Sequence, residues 1–291
     1  MRRGALFLAL PPFVVKLGTD VPELVGEIRS MYADFEFLPG CEFADFHVDI
    51  LLGRGWERWV RPTAYFHFDG MPIFTPLPAY QAFAMLEWGL NWCVAAHSHQ
   101  YLIFHAAVIE RDGRAAILPA PPGSGKSTLC AALVRHGWRL LSDELALYDI
   151  TRAEMYGMAR PINLKNQSID IVRSLDPSVE MTCRVPNTSK GTVALVRPPS
   201  ASVERVQEPA RPTWVVSPRF RLGAALEFAA MRPADAFMLL AEQSFNYEMH
   251  GLDGFNALAS MIDGCSSYRL DYCSLDEAIG LFEELASGVR A

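Results

Sequence analysis

Residues 120–128 read Ala-Pro-Pro-Gly-Ser-Gly-Lys-Ser-Thr, and together with their flanks they constrain the local fold more tightly than any other stretch of the chain. Gly123, Gly125, Lys126 and Ser127 take the defining positions of a phosphate-binding loop. Ala120 stands where glycine is usual, which adds one methyl group and leaves the turn small. Before the run, Arg114–Leu118 is a short apolar segment bounded by a turn at Asp112-Gly113, and it predicts a buried strand. After it, residues 127–136 space their apolar side chains as a helix does, and Gly137 follows Arg135 and His136 as a stop. A surface turn that held Lys-Ser by chance would lack this strand-loop-helix frame.

The residue types follow from the chemistry. Pro122, Gly123, Ser124, Gly125 and Thr128 complete a compact segment in which backbone N–H groups turn toward phosphates. Lys126 reaches the β- and γ-phosphates, and the Ser127 hydroxyl suits Mg²⁺. The expected ligand is a nucleoside triphosphate, ATP, with Mg²⁺. Trp138–Ser142 is a further apolar strand, and it ends in Asp143 and Glu144. Nucleotide chemistry needs a carboxylate for the metal and one to accept a proton or orient the attacking group. Neighbours on a regular strand point to opposite faces, so both acids can serve only if the chain bends there. Asp143 is assigned the inward position, as metal ligand with Ser127, and both acids are catalytic candidates with the base left open between them; the alternative is a pair of solvated carboxylates on a loop.

The chain has 291 residues, enough for two lobes: an N-terminal α+β lobe with a linking helix over 1–98, and a core with C-terminal helices over 99–291. A formal charge of −7 leaves no basic footprint for nucleic acid. The six cysteines are scattered, without zinc spacing, as expected of reduced thiols in a cytoplasmic protein. Met1–Leu10 imitates a signal peptide, but Pro11-Pro12 interrupts it and no cleavage site follows, so a first strand is expected. No apolar run reaches membrane-spanning length, and no membrane partner is expected.

Strands are predicted over 46–52 and 64–68, then an aromatic helix over Tyr80–Ala96, which packs between the lobes. Its Trp88 and Trp92 share a face and read as core. Tyr101–Ile109 pairs with the strand before the loop as a hairpin. Further strands are expected at Thr192–Val196 and Arg211–Val216, and helices over 233–244, 253–262 and 275–286.

From His105 through Glu144, the order histidine-bearing strand, hairpin, phosphate loop, short helix and acid-ended strand resembles HPr kinase/phosphorylase. Glu87-Trp-Gly-Leu-Asn-Trp92, His105-Ala-Ala-Val108, Arg160-Pro-Ile-Asn-Leu-Lys165, Lys190-Gly-Thr-Val193 and Tyr268-x-Leu-x-Tyr272 are similar to a branch called HprK-related kinases. The resemblance implies an α/β fold with a phosphoenolpyruvate carboxykinase-like P-loop core and mixed sheet, beside a smaller N-terminal α+β lobe. It implies a serine kinase with Lys126, Ser127, Asp143 and Glu144 in the site and His105 tuning the acids. Two departures stand out. Glu144 replaces an aspartate, and the Glu-x-Arg-Gly-Leu-Gly-Ile signature of the HPr enzyme has no counterpart. Relatives form hexamers, so the resemblance allows a homo-oligomer.

His105 has a second reading as a satisfied core histidine. Lys165, Lys190 and Arg197 form a set of cations that could border the γ-phosphate, though each taken singly reads as a solvated charge. The expected function is transfer of the ATP γ-phosphate to a hydroxyl of a peptide or small protein. The alternatives are a small-metabolite kinase and a nucleotide-operated switch.

Overall fold

The structure, a computed structural model, describes residues 6–289, so Met1–Ala5 of the signal-like segment lie outside the described residues. The first lobe opens with β1 (Leu6–Leu10) and β2 (Phe13–Thr19), followed by α1 (Pro22–Met31), β3 (Phe46–Leu52), the single turn α2 (Glu57–Val60) and β4 (Thr63–Phe68). Two-residue strands β5 (Met71–Pro72) and β6 (Leu77–Pro78) complete a six-stranded mixed sheet in which β2 and β3 run parallel. Along β2 the residues Phe13, Val15 and Leu17 alternate into the core, the period-2 pattern of a half-buried strand. The sequence predicts no helix before Tyr80, so α1 is an addition. Leu24, Ile28 and Met31, at helical spacing, bury one face of α1 after Pro22 at its start.

The linking helix α3 (Ala82–His97) is apolar nearly all round because both sides are covered. Gly89 lets it lie against β4: a Cβ there would stand 1.9 Å from the Phe66 ring. Residues of α3 share a core with the first lobe and with Ile103, Leu145, Leu147, Met158 and Leu195 from the rest of the chain.

The second sheet has eight strands. The long strand β7 (Leu102–Arg111) turns at Asp112-Gly113, both with positive φ as a two-residue hairpin demands, into antiparallel β8 (Arg114–Pro119). α4 (Lys126–Arg135) follows, then β9 (Arg139–Ser142), β10 (Leu145–Asp149) and β11 (Glu154–Tyr156). A small antiparallel sheet comes next, built from β12 (Ile162–Lys165), β13 (Val185–Thr188) and β14 (Gly191–Val196), with α5 (Gln167–Leu175) after β12. Beyond the short α6 (Ser200–Glu204), β15 (Arg211–Phe220) lies parallel to β8 and to β17 (Ser266–Tyr272), while β16 (Glu227–Ala230) caps the edge. Helices α7 (Pro233–Glu242), α8 (Gly251–Asp263) and α9 (Leu275–Ser287) occupy the regions expected of the tail.

β8 is buried on both sides. Ala116 and Leu118 join the layer under α4 and α9, with Trp138, Trp214 and Phe282, whereas Ala115 and Ile117 face α7 and α8 through Leu240, Leu258 and Ile262. The fold is therefore mixed α/β with two mixed sheets and one small antiparallel sheet, and the loop after β8 emerges from a strand buried on two faces.

Candidate functional site

Gly123 and Gly125 both adopt positive φ, 86° and 88°, so the loop turns twice where L side chains are strained. At Gly125 there is also no room: a Cβ would lie 2.7 Å from the Tyr272 hydroxyl and 2.9 Å from Phe220 Cβ. Those two strand ends pin the loop. The Tyr272 hydroxyl donates to the Gly125 carbonyl at 3.2 Å, and Phe220 N donates to the Ser124 carbonyl at 2.8 Å. Among the described residues no side chain caps the start of α4, which leaves its first-turn N–H groups for an anion. Ala120 is fully buried at the base of the loop.

The loop walls a cleft of about 500 Å³. Pro122, Gly123, Ser124, Gly125, Lys126, Ser127 and Thr128, all assigned from the sequence, line it together with His105, Glu144 and Lys165. Thr128 Oγ1 donates to Ser168 Oγ at 2.8 Å, tying α4 to the start of α5. Ile171, Phe220 and Leu275 give the same cleft an apolar side.

The two acids sit at a break in the sheet. Ser142 pairs with Val108 on β7 and Leu145 pairs with His105, so Asp143 and Glu144 form the bend between two strands on one edge. The Ser142 hydroxyl accepts from Leu145 N at 3.0 Å and closes this bend. The bend sends the adjacent carboxylates different ways.

Asp143 is 4% exposed. Its Oδ2 accepts from Asn163 N at 3.1 Å, Ser127 stands close enough to draw its pKa down, and among the described residues Oδ1 has no partner. Burial pushes its pKa up to about 6, against the pull of Lys126 and with a push from Glu144. The inward placement goes further than expected: Asp143 lines a separate small cavity with Glu87 and Arg160 rather than the cleft wall.

Glu144 faces the cleft. Burial acts to raise its pKa, but Lys190, Lys126, Arg160 and Lys165 outweigh it and hold the carboxyl below its ordinary range. Its Oε1 lies 3.8 Å from Lys190 Nζ, and Asn91 Nδ2 donates to its Oε2. Asn91 in turn receives Arg160, whose guanidinium lies 3.5 Å from Glu87 Oε2. Glu87 also accepts from the buried Tyr32 hydroxyl, so this chain of contacts runs from the first lobe to Glu144.

Lys126 is buried, and its pKa is lowered mainly by that burial, with Asp143 and Glu144 opposing. Its Nζ lies 3.3 Å from His105 Nε2. His105 Nδ1 lies 3.4 Å from Gln243 Oε1, and burial followed by Lys126 lowers the His105 pKa, keeping the ring neutral beside the ammonium. His105 is thus a wall of the cleft, half-buried, rather than an interior residue.

The set of three cations divides. Lys165 ends β12 in the cleft, while Lys190 reaches Glu144 from outside it, its ammonium 5.0 Å from the Trp88 ring centre. Arg197 is a correction: it ion-pairs with Asp34 at 2.7 Å and with Glu180 at 2.5 Å and does not border the cleft. The register explains this. Lys165 pairs with Val193 and Ile162 with Val196, so Arg197, one residue past Val196, leaves the opposite end of β14, about 13 Å along the strands from Lys165. Trp88, assigned to core packing, lines a second cavity of about 170 Å³ with Phe245, Asn91 and Lys190. His105 and Glu144 border both cavities. Asn91, Arg160 and Gln243 received no role from the sequence; they come from three distant segments, and no spacing rule joins them.

Among the described residues, no cluster of three or more His, Cys, Asp and Glu side chains could hold a metal alone. Mg²⁺ asks for less when phosphates supply other ligands, and the orphaned Asp143 Oδ1 beside Ser127 fits that need. Among the described residues no helix is long and apolar enough to cross a membrane.

A sequence model of the family described as SynChlorMet cassette protein ScmC matches residues 81–189, which take in α3, the loop and the acid pair. No curated protein matches the chain. Among solved structures, the HPr(Ser) kinase/phosphatase from Coxiella burnetii is similar at 12% identity and a TM-score of 0.31, over 65% of this chain and 95% of that one. So slight a likeness places none of the residues above, and their roles rest on this chain's own geometry.

Proposed function

We propose that the chain is a Mg·ATP-dependent kinase that transfers the γ-phosphate to a hydroxyl. One observation carries the reading: an ionised carboxylate, Glu144, stands on the border between a cleft walled by the loop and Lys126 and a second cavity open to an acceptor. The amides of the loop and of the α4 start would cradle the phosphates, and Lys126 would offset charge at the β- and γ-positions. Ile171, Phe220 and Leu275 offer apolar walls to a nucleobase. Ser127 and Asp143 would hold Mg²⁺, which supplies charge neutralisation on the phosphates when bound.

In the transfer, the acceptor oxygen bonds to the γ-phosphorus as the bond to the β–γ bridging oxygen breaks, and ADP leaves. The hydroxyl proton passes to the Glu144 carboxylate, which first orients the hydroxyl by accepting its hydrogen bond. Neutral His105 keeps Lys126 aimed at the phosphates without adding a competing charge. Asn91 and Lys190 hold Glu144 in place.

The test is nucleotide affinity by calorimetry beside transfer of label from γ-labelled ATP to an acceptor in native extract. Glu144→Gln should keep ATP affinity within about threefold and lower transfer by on the order of 10² or more. Wild-type binding without transfer to any acceptor, with Glu144→Gln indistinguishable from wild type, would point to a nucleotide-operated switch instead.

A further inference from the structure

The small cavity behind the acid pair, about 20 Å³, is lined by Glu87, Asp143, Arg160 and Asn163 together with Asn91 and Glu144. The first four are each at most 9% exposed. They carry five buried polar atoms that have no hydrogen-bond partner among the described residues: Glu87 Oε2, Asp143 Oδ1, Arg160 Nε, Arg160 Nη1 and Asn163 Oδ1. Buried polar groups are nearly always bonded, so five gathered around one space call for a shared partner.

The bonds already made show what that partner must offer. Arg160 Nη2 donates to Asn91 Oδ1 and, at 3.3 Å, to the Glu87 carbonyl, and it lies 3.5 Å from Glu87 Oε2. Nε and Nη1 keep their protons to give. Asp143 Oδ2 takes the Asn163 N–H, which leaves Asp143 Oδ1 and Asn163 Oδ1 as acceptors. Two donors and two acceptors around the cavity are the complement of one water, which accepts twice and donates twice. The size agrees, since about 10–15 Å³ measured in this way suffices for a water. An ion fits less well: Arg160 repels a cation there, and Asp143 and Glu144 repel an anion.

We infer that one ordered water occupies this cavity, accepting from Arg160 Nε and Nη1 and donating to Asp143 Oδ1 and Asn163 Oδ1, and that Arg160 is a positioning residue for both acids. The inference rests on the kinase reading for what the acids do, and it specifies what holds them. Through Asn91, whose Nδ2 donates to Glu144 Oε2, the guanidinium steadies Glu144. Through the water it fixes the rotation of the Asp143 carboxylate, which the bond to Asn163 N alone leaves free to turn. A carboxylate oxygen has two lone pairs, so Oδ1 can receive the water and still face a cation beside Ser127. Lysine cannot stand in for Arg160, because an ammonium carries the charge without the planar fork that reaches Asn91, Glu87 and the water together.

The experiment has two arms, both on the full chain. Crystals of the wild type grown with bromide and rubidium salts should show one peak in the cavity, without anomalous signal, at about 2.7–3.2 Å from Arg160, Asp143 and Asn163. No peak, or an anomalous one, would overturn the water whatever the protein catalyses. The second arm measures ATP affinity by calorimetry and transfer from γ-labelled ATP. Arg160→Lys should keep ATP affinity within about threefold and lower transfer by on the order of tenfold or more, as expected of misplaced catalytic groups. Asn163→Ala, which spares the backbone N–H on Asp143, should also lower transfer, and the double variant should be no slower than Arg160→Lys alone, because both changes remove the same water. Losses that multiply in the double variant, or transfer by Arg160→Lys at the wild-type rate, would overturn the positioning role and leave the kinase reading standing. Should Arg160→Lys fail to fold, unchanged transfer by Asn163→Ala would overturn the role equally. Absence of any transfer by the wild type would sink the kinase reading and the positioning role together, while the crystals would still decide the water.

Discussion

Asp143→Asn should make the protein more stable and less active at once. Burial raises the Asp143 pKa from 3.8 to about 6, so above that pH the native state carries a carboxylate in a place that prefers it neutral. At about 1.4 kcal/mol per pKa unit, the cost at neutral pH is on the order of 3 kcal/mol. The attraction of Lys126 is already contained in that figure, because it opposes the rise and the net shift is still upward. The sign follows from linkage. Below pH ~4 both states are protonated and the cost vanishes; it grows as the unfolded chain ionises, and it is complete above pH ~6. Asparagine keeps an oxygen for Asn163 N and removes the charge. The melting temperature of the variant should therefore exceed that of the wild type by roughly 5 °C at pH 8 and match it near pH 4. Phosphoryl transfer should fall by on the order of 10² or more with the loss of the anionic ligand beside Ser127. Thermal melts across pH 4–8 and transfer assays on one preparation decide it. A variant that melts at or below the wild type at pH 8, or whose gain is equal at both ends of the range, would refute the claim that Asp143 is a strained buried anion.

Gly125→Ala should abolish ATP binding, since its Cβ would meet Tyr272 and Phe220 at positive φ; calorimetry should show at least a 10²-fold loss if the loop is displaced. Arg197→Ala should leave ATP affinity and transfer unchanged and lower stability by at most about 1 kcal/mol, because its two ion pairs are partly solvated; any loss of ATP affinity would return Arg197 to the site. His105→Gln should lose less stability than the wild type between pH 7.5 and 5.5. Burial, and Lys126 after it, lower the native pKa of His105, so acidification protonates the unfolded chain first and erodes wild-type stability as pH falls; equal losses would show that the His105 pKa is not lowered in the native state.

What the sequence disclosed was whatever depends on neighbours in the chain. Gly123, Gly125, Lys126 and Ser127, the turn at Asp112-Gly113 and the stop at Gly137 obey local backbone rules, and each stands where those rules put it. α5 escaped because its start is set by Asn166, a non-glycine residue at φ 51°, whose side chain accepts from Thr192 N across the small sheet. Arg197 went to the wrong end of β14 because only the register shows which end meets the cleft. Trp88 and Trp92 are four residues apart on one helix, yet Trp92 packs on Phe68 and Phe74 while Trp88 opens onto Glu144's cavity. Helical spacing reports a shared face, not what lies across from it.

The acid pair shows how one break in a sheet can divide labour between neighbours. Had β9 run on without interruption, Asp143 and Glu144 would have pointed to opposite faces of the sheet, and only one would have met the cleft. The bend between Ser142 and Leu145 instead turns Asp143 toward Ser127 and Asn163, and Glu144 toward Lys126, Lys190 and Asn91. Their environments then push the two pKa values apart, up for Asp143 by burial and down for Glu144 by four cations. Separated values on adjacent carboxyls are what two distinct roles require. Glu144 stays ionised and can receive a hydroxyl proton, and Asp143 gains most when a cation arrives beside its unpartnered oxygen. The residue longer by one methylene holds the position that must reach the border of both cavities, and the shorter one holds the position packed against the loop.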